Sequence, residues 1–237
     1  MHALLGRRPV TAAFLCAAFT LSAAACAPDV GDLTKPEILG KAIEATESAK
    51  SVTMYSDGFS LAVPVKSRTS YDGRGNCATA LSYGTSDTID VIKVDGDMYV
   101  RRGEARLRRE ERHRSPEDLA ALIDKLSGRW TKPPVDGPGA PEEPALCSRV
   151  KFDAGLRNGW DDDSAKGDPA TVDGRKALKL VRPGTESETA VYIAAEGPPY
   201  ILKIVTKGGD TPGTTTFDYD RPVEVKAPPA ENVVMTD

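Results

Sequence analysis

The sequence predicts an α+β protein in which a large antiparallel sheet is accompanied by two helices. Between residues 51 and 102, short segments with the alternation of β-strands follow one another, separated by turn sequences such as Asp95-Gly96. The same pattern returns between residues 170 and 219. Two other segments show helical spacing and begin with capping residues. Strand-rich stretches with helices outside them are typical of an α+β fold.

The first helix is predicted from its N-terminal capping signals. Thr34 is the expected N-cap, and Glu37 is its capping-box partner three residues later. Pro36 lies in the first turn, where a missing N–H has no cost. Apolar residues then recur at helical spacing and include Ile43. We therefore expect one narrow face of this helix to pack on apolar surface.

The second helix has a clear beginning, a clear end and one apolar face. Ser115 is the expected N-cap, Pro116 occupies the first helical position and Gly128 ends the helix. Its apolar face consists of Leu119, Leu122, Ile123 and Leu126.

The remaining regular segments are predicted strands separated by turns rich in glycine, aspartate and proline. The predicted strands cover residues 52–63, 66–71, 78–83, 89–94, 98–102, 170–171, 175–181, 189–194, 200–206 and 214–219. Residues 133–144 lack periodicity and contain many Pro and Gly residues, so we expect an exposed loop there. A second loop is expected over residues 161–168.

The N-terminal segment has the layout of an export signal. Arg7 and Arg8 precede an uncharged stretch, Val10–Ala25, which is shorter than a typical membrane span and rich in alanine. The small residues before Cys26 resemble the lipobox of bacterial lipoproteins, which implies a lipid anchor on Cys26 and a place at the extracytoplasmic face of the cell membrane. An ordinary signal peptidase site is the alternative. We expect a signal peptide over 1–25, a tether over 26–32 and one domain over 33–237.

Composition excludes some functions and indicates a disulfide. The net charge of −4 argues against nucleic-acid binding, which needs clustered positive charge. Beyond Cys26, the mature chain contains Cys77 and Cys147, and an even pair in an exported protein is typical of a disulfide. Two separate buried thiols are the alternative. The cysteines lack zinc-site spacing, so we expect no metal site.

Two charged runs are interpreted first as solvated segments. Arg101–Arg114 contains seven arginines and three glutamates, and we expect a loop or strand edge there. Contact of this run with anionic lipid headgroups is the alternative. The acidic run Asp161–Asp168 lacks the ligand spacing of a calcium loop.

Nothing in the sequence selects a catalytic group. After removal of the signal, His113 is the remaining histidine, and it lies within the basic run without a serine elbow or a second ligand to pair with it. We therefore expect a protein that is not an enzyme and has no cofactor.

The order of motifs in the second half of the chain resembles the LolA-like lipoprotein carriers, in particular the LppX/LprG-type lipoproteins of actinobacteria. The segments that carry the resemblance are "VDGRKALKLV", "TAVYIAAEGPPYILKIV" and "TTFDYDRPVEVKAPPAENVV", where a Pro-Val strand precedes a Pro-Pro tail. The early helix that leads into "AKSVTMYSDG", and the "GNC" that ends at Cys77, also match this type. Together these motifs cover most of the mature chain.

This resemblance implies a strongly curved antiparallel sheet, an unclosed half-barrel, with helices packed over its concave face. It also implies an apolar cavity in which a membrane-anchored lipoprotein binds or carries a lipid or lipoglycan. We expect a monomer whose partners are this lipid and the outer leaflet of the cytoplasmic membrane. The cavity residues chosen by alternation are Ile43, Leu119, Leu122, Ile123, Leu126, Ile193, Leu202, Ile204 and Phe217. The alternative function is a tethered interaction or sensor module whose core is filled by side chains.

Overall fold

Thirteen strands and four helices make up the computed structural model, which describes residues 33–133, 147, 152, 154–161, 163–219 and 221–235. The strands are β1 Val52–Ser60, β2 Val63–Tyr71, β3 Cys77–Tyr83, β4 Asp87–Val94, β5 Asp97–Arg102, β6 Trp130–Lys132, β7 Ala165–Lys166, β8 Ala170–Val172, β9 Arg175–Pro183, β10 Ser187–Ala194, β11 Ile201–Gly208, β12 Gly213–Tyr219 and β13 Val233–Met235. The helices are α1 Lys35–Ser48, α2 Glu104–Glu110, α3 Pro116–Leu126 and α4 Ala154–Arg157, and a 3-10 turn covers Ala230–Asn232.

All the strands belong to one unclosed sheet. Their order is β13-β6-β5-β4-β3-β2-β1-β12-β11-β10-β9-β7, and β8 also pairs with β9. Neighbouring strands are antiparallel except β13 and β6, which are parallel. Strands β13 and β7 form the two ends of the order and do not pair with each other. The predicted α+β class with a large antiparallel sheet is confirmed.

Alternation along the central strands gives the sheet an inner and an outer face. On β1, Val52, Met54 and Ser56 are buried or half-buried, whereas Tyr55 and Asp57 on the opposite face are exposed; Thr53, at the start of the strand, is also buried. We call the face of Val52 the inner face and the face of Tyr55 the outer face. The long helix α1 packs on the inner face, because its apolar residues and Val52 belong to the same core.

The larger apolar core lies between α1 and the strands β9 to β12. Ile38 and Leu39 of α1 are almost completely buried together with Leu180, Val191 and Ile201 of the sheet. Burying a side chain of this size stabilises the fold by about 1.5–3 kcal/mol.

A buried hydrogen-bond network fixes the C-terminal end of α1 on this core. The Thr46 hydroxyl accepts a hydrogen bond from the backbone N–H of Ile201 at 3.0 Å and shares one with the Tyr219 hydroxyl at 3.1 Å. The Tyr219 hydroxyl donates to the carbonyl oxygen of Ile201 at 2.5 Å. The helix therefore has a defined position along β11 and β12 as well as apolar contact with them.

The smaller apolar core lies on β3, β4 and β5 and contains the predicted disulfide. Val91, Met98 and Val100 are buried together with Cys77 and Cys147. The two Sγ atoms are 2.01 Å apart, so the expected bond is present in the structure. It fixes one point of the long connection between β6 and α4 against β3.

The turn before Cys77 is organised by the carboxylate of Asp72. This carboxylate accepts hydrogen bonds from the backbone N–H groups of Arg74 and Asn76 and from the Asn76 side-chain amide, each at 2.9 Å. Burial by itself raises the pKa of Asp72, but these hydrogen bonds outweigh burial and hold that pKa below its ordinary value. A charged Asp72 therefore fixes the chain at the start of β3.

Both predicted helix beginnings are confirmed. The backbone N–H of Thr34 donates to the carboxylate of Glu37 at 2.9 Å, as a capping box requires. The hydroxyl of Ser115 accepts a hydrogen bond from the backbone N–H of Asp118 at 3.1 Å. The predicted turn at Asp95-Gly96 is confirmed as well, with φ values of 53° and 89°.

The prediction for the basic run is wrong in part. Residues within Arg101–Arg114 form the helix α2, where a loop or strand edge was expected. One apolar side chain, Leu107, is buried beneath it. Ion pairs one turn apart, such as Arg108 with Glu104 at 2.7 Å, support the helix. A helix with so little apolar content shows no apolar stripe in its sequence, which is why periodicity missed it.

The predicted strand 52–63 is also wrong at its end. The strand β1 ends at Ser60, residues 61 and 62 form a tight turn, and β2 begins at Val63. Leu61 and Ala62 occupy this turn with positive φ values of 49° and 66°. Leucine and alanine are not typical of such turns, so the sequence did not predict this hairpin.

Three further differences concern the short strands. The strands β6 and β13 were not predicted, and β7 lies within the expected loop 161–168. The Pro-Val segment at residues 222–223, expected as a strand from the resemblance, is not a strand. The expected loop 133–144 lies outside the described residues except for Pro133, and residues 1–32 with Cys26 lie outside them as well.

Candidate functional site

The structure divides the nine predicted cavity residues into two groups. Ile43, Ile193, Leu202 and Phe217 belong to the larger core, and Ile204 packs against it. The other four lie on α3, which packs beside α2 and contributes to neither core: Leu119, Leu122, Ile123 and Leu126. The structure therefore brings five of the nine residues together and leaves the α3 residues apart from them.

Between the two cores, the inner face of the sheet carries a row of small residues. Ser56 of β1 pairs with Ser67 of β2 on one side and with Thr215 of β12 on the other. Gly58 and Gly213 form the next inner pair. Because register partners share a face, these small side chains adjoin each other. We call the surface formed by Ser56, Gly58, Ser67, Gly213 and Thr215 the inner trough.

Half-buried apolar side chains border the inner trough. Met54 packs against the larger core and Leu81 against the smaller one, so the trough lies between these two side chains. Ile204 borders it on β11, where it pairs with Thr215, and Val65 borders it on β2, where it pairs with Gly58. The trough is therefore a region of the inner face whose apolar border is not fully covered by α1.

Two pairs of hydroxyl groups in this region share hydrogen bonds. The Ser56 and Thr215 hydroxyls lie 2.9 Å apart and share a hydrogen bond. In the neighbouring inner row, the Thr79 hydroxyl donates to that of Thr69 at 3.2 Å. Each shared hydrogen bond replaces one that these hydroxyls would make with water, so such a surface accepts apolar contact at a lower desolvation cost than unpaired hydroxyls.

A cavity of about 200 Å³ occupies one end of the inner trough. Ser56, Gly58 and Thr215 of the trough contribute to it, together with Val65 and Ile204. The cavity lies where the β1–β2 hairpin meets the turn between β11 and β12, and the rest of its lining consists of Asp57, Phe59, Thr206, Thr211, Pro212, Gly213 and Thr214. A second cavity, of about 270 Å³, is lined by Leu202 and Phe217 with Arg175 and Arg221.

Tyr71 lies between the two cores and contacts both of them. Burial raises the pKa of Tyr71 to about 12, so its phenol is neutral at physiological pH. The region between the cores therefore receives no charge from this side chain.

The outer face carries a larger groove of a different character. Its volume is about 650 Å³, and its lining includes charged residues of β1, β2 and β4 together with Ser56 and Ser67 of the trough strands. Lys66 forms an ion pair with Asp57 at 3.0 Å, and the Arg68 guanidinium lies 5.7 Å from the centre of the Tyr55 ring. Although this groove is larger than the trough cavity, an acyl chain placed in it would desolvate these charges. The outer groove therefore combines these charged groups, which a polar partner could pair with, and a lining that is otherwise mostly apolar.

Two further observations concern the described residues. Among them, no helix is long and apolar enough to cross a membrane. The same part of the chain contains no group of three or more histidine, cysteine, aspartate or glutamate side chains placed to hold a metal ion.

Sequence reasoning missed the trough residues because small polar side chains in strands are usually assigned to the solvent side. One signal was present. Ser56 and Gly58 follow Val52 and Met54 at two-residue spacing, and therefore lie on the same face of β1. A run of small residues on a face that begins with large apolar ones indicates a depression in that face.

Comparison with known proteins identifies the fold. No protein-family model matches the chain, and no curated protein does. The chain is similar to the crystal structure of LprF from Mycobacterium bovis, with 12% identity and a TM-score of 0.51 over 82% of this chain and 96% of that chain. It is also similar to the lipoprotein LppX of Mycobacterium tuberculosis, with 12% identity and a TM-score of 0.50 over 81% of this chain and 100% of that chain.

At this level of identity the similarity concerns the fold. The chain has the LolA-like half-barrel of LppX and LprF, an unclosed antiparallel sheet with helices packed over one face. The resemblance derived from the ordered motifs is confirmed at this level.

Proposed function

We propose that this chain is an exported protein, anchored to the membrane through an acylated Cys26, that binds or carries a lipid or lipoglycan at the outer face of the cytoplasmic membrane. The observation that carries the proposal is the inner trough. A half-barrel whose middle strands bear half-buried apolar side chains around a floor of small residues has apolar surface available for a ligand. The name of LppX as a lipoprotein supports the anchor.

The mechanism is passive. Acyl chains leave the bilayer for the trough, and burial contributes about 0.8 kcal/mol for each CH₂ group removed from water. The hydrogen bond that the Ser56 and Thr215 hydroxyls share satisfies one of their donors within the floor of the trough. No bond is made or broken, so the proposal assigns the chain no catalytic activity.

Filling the trough tests this function. Ser67 lies on β2 at the edge of the trough, between Ser56 and Leu81, and Ser67→Phe places a ring against the floor on which the ligand is expected. The probe is a phospholipid with a fluorescent acyl chain, whose emission changes when it leaves water. We expect the variant to bind the probe about ten-fold more weakly than the unchanged chain, because overpacking a filled site costs about 1–3 kcal/mol.

The neighbouring residue provides the matched control. Arg68 lies on the outer face of the same strand, so Arg68→Phe introduces the same ring on the opposite side of the sheet. Probe binding is expected to survive in this control. Unchanged binding by the Ser67 variant, with both variants folded, contradicts the trough as the lipid site.

The outer groove supports a second candidate function, an interaction module that binds a protein or a cell-wall polymer. Its exposed Tyr55 and its paired charges suit a polar partner. Loss of partner binding in the Arg68 variant, with binding of the fluorescent phospholipid unchanged, would favour this second function.

A further inference from the structure

The β1–β2 hairpin ends in apolar side chains at a place where turns are usually polar. Leu61 is 74% exposed, Phe59 is 49% exposed and Val63 is 44% exposed. Of the five large hydrophobic residues that are exposed in the described part of the chain, four belong to this hairpin. We call Phe59, Leu61, Ala62, Val63 and Pro64 the apolar tip.

The backbone of the apolar tip disfavours the residues that occupy it. Leu61 and Ala62 have φ values of 49° and 66°, in the left-handed region that two-residue hairpin turns require. Asn-Gly is the preferred sequence for such a turn, and a non-glycine residue there costs on the order of 1 kcal/mol. Leucine and alanine therefore make this turn less stable than Asn-Gly would.

The apolar tip is held in a fixed position by its neighbours. The backbone N–H groups of Phe59 and Leu61 donate to the carbonyl oxygens of Pro212 at 2.8 Å and Asp210 at 3.0 Å. Gly58 permits this approach, since a Cβ atom there would lie 2.5 Å from the Pro212 oxygen. The exposed side chains are thus presented on a supported hairpin.

The arginine-rich helix α2 lies at the same end of the sheet. The β3–β4 turn contacts the tip, because the backbone N–H of Gly84 donates to the Pro64 carbonyl oxygen at 2.7 Å. The same turn leads to Asp87, which forms an ion pair with Arg106 at 2.7 Å and another with Arg109.

Positive charge is in excess around this helix. The run Arg101–Arg114 has seven arginines and three glutamates, and six of these arginines form ion pairs. Asp87 and Asp90 are partners in these pairs besides the three glutamates, so two positive charges remain in excess. Arg108, Arg109, Arg112 and Arg114 are exposed.

We propose that the apolar tip and the exposed arginines in and directly after α2 form a surface that docks on a lipid bilayer containing anionic headgroups. Apolar side chains inserted at the acyl boundary, with basic residues beside them at headgroup level, are the combination that binds membrane interfaces. The trough cavity shares Phe59 with the tip, so docking places the trough next to the bilayer. The proposal rests on the proposed function in placing the domain at a membrane.

The arrangement of the tip favours a bilayer over a protein partner. Phe59 lies on the outer face of the hairpin, and Val63 lies on its inner face, where it pairs with Ser60. A partner that covers the tip must therefore surround it on both sides. A bilayer does this without any specific shape, and the excess of arginines beside the tip matches an anionic surface.

Vesicle binding tests the proposal with the chain from residue 27 to residue 237, which contains every described residue and lacks the export signal and Cys26. The vesicles contain phosphatidylcholine alone or equal parts of phosphatidylcholine and phosphatidylglycerol. The double substitution Leu61→Asn with Ala62→Gly is expected to weaken binding to the mixed vesicles about ten-fold, because it removes the most exposed apolar side chain. Arg112→Gln is expected to weaken it about five-fold, and only when phosphatidylglycerol is present.

The tip variant carries its own folding control. Asn-Gly suits the left-handed turn, so its unfolding midpoint is expected to equal or exceed that of the unchanged chain. A chain that binds neither type of vesicle overturns the proposal, as does a tip variant that binds as well as the unchanged chain. Self-association that the tip variant loses, without vesicle binding, would also overturn it and assign the tip to a protein contact.

The failure of docking and the failure of lipid carriage are distinguishable. Ser67→Phe fills the trough and is expected to leave vesicle binding unchanged, because Ser67 belongs neither to the tip nor to α2. A chain that docks on vesicles but binds no fluorescent phospholipid contradicts the proposed cargo and leaves docking intact.

Discussion

Replacing both Cys77 and Cys147 with alanine is expected to lower the free energy of unfolding by about 4 kcal/mol. The bond joins residues separated by 70 positions, so its loss releases a long loop in the unfolded chain. Both residues are buried in the smaller core, which loses sulfur contacts as well. Denaturant unfolding of the oxidised chain and of the double variant measures the difference.

A reducing agent provides the control for this substitution. It is expected to destabilise the unchanged chain by a similar amount and to leave the double variant unaffected, because the variant has no bond to lose. A difference below about 1 kcal/mol between the oxidised chain and the double variant would show that the disulfide does not hold the smaller core together.

The substitution Ile43→Ala is expected to destabilise the fold by about 2–5 kcal/mol, the usual cost of truncating a buried isoleucine or leucine. Ile43 is 2% exposed and lies in the larger core among side chains of the chain itself. We therefore expect the same loss with and without a bound lipid. Thermal or denaturant unfolding of lipid-free and lipid-loaded protein makes this comparison.

Glu44→Ala is the matched control for this change, because Glu44 is the exposed neighbour of Ile43 on α1. Its effect is expected to stay within about 0.5 kcal/mol. A destabilisation by Ile43→Ala that disappears when lipid is bound would mean that acyl chains, rather than side chains, fill the space beside α1.

Much of the fold could be predicted from local signals. The caps at Thr34 and Ser115 and the turn at Asp95-Gly96 each depend on residues that are close together in the sequence, so they could be predicted from it directly. Strand alternation defined most of the sheet for the same reason. The ordered motifs of the second half then identified the half-barrel.

The features that escaped prediction depend on contacts between distant residues. The helix α2 is supported by ion pairs with Asp87 on β4, and so little apolar content leaves no periodic signal. The left-handed turn at Leu61-Ala62 is held by backbone hydrogen bonds to Asp210 and Pro212. In both places a tertiary contact decides the local structure.

The position of the candidate site also depends on contacts between distant residues, so the sequence did not predict it. Alternation assigns residues to one face of a strand, but it does not distinguish a packed position such as Ile193 from a border position such as Ile204. That distinction arises from the small residues of three adjacent strands, which adjoin only in the folded sheet.

Native mass spectrometry tests the central claim, that the inner trough carries a lipid. The protein is the chain from residue 27 to residue 237, exported by an ordinary signal so that no anchor is attached, and purified from the envelope of cells that produce it naturally. The account predicts a discrete added mass that organic extraction releases as a lipid and that Ser67→Phe abolishes. A bare polypeptide mass that stays unchanged after incubation with lipids of the same envelope would contradict it.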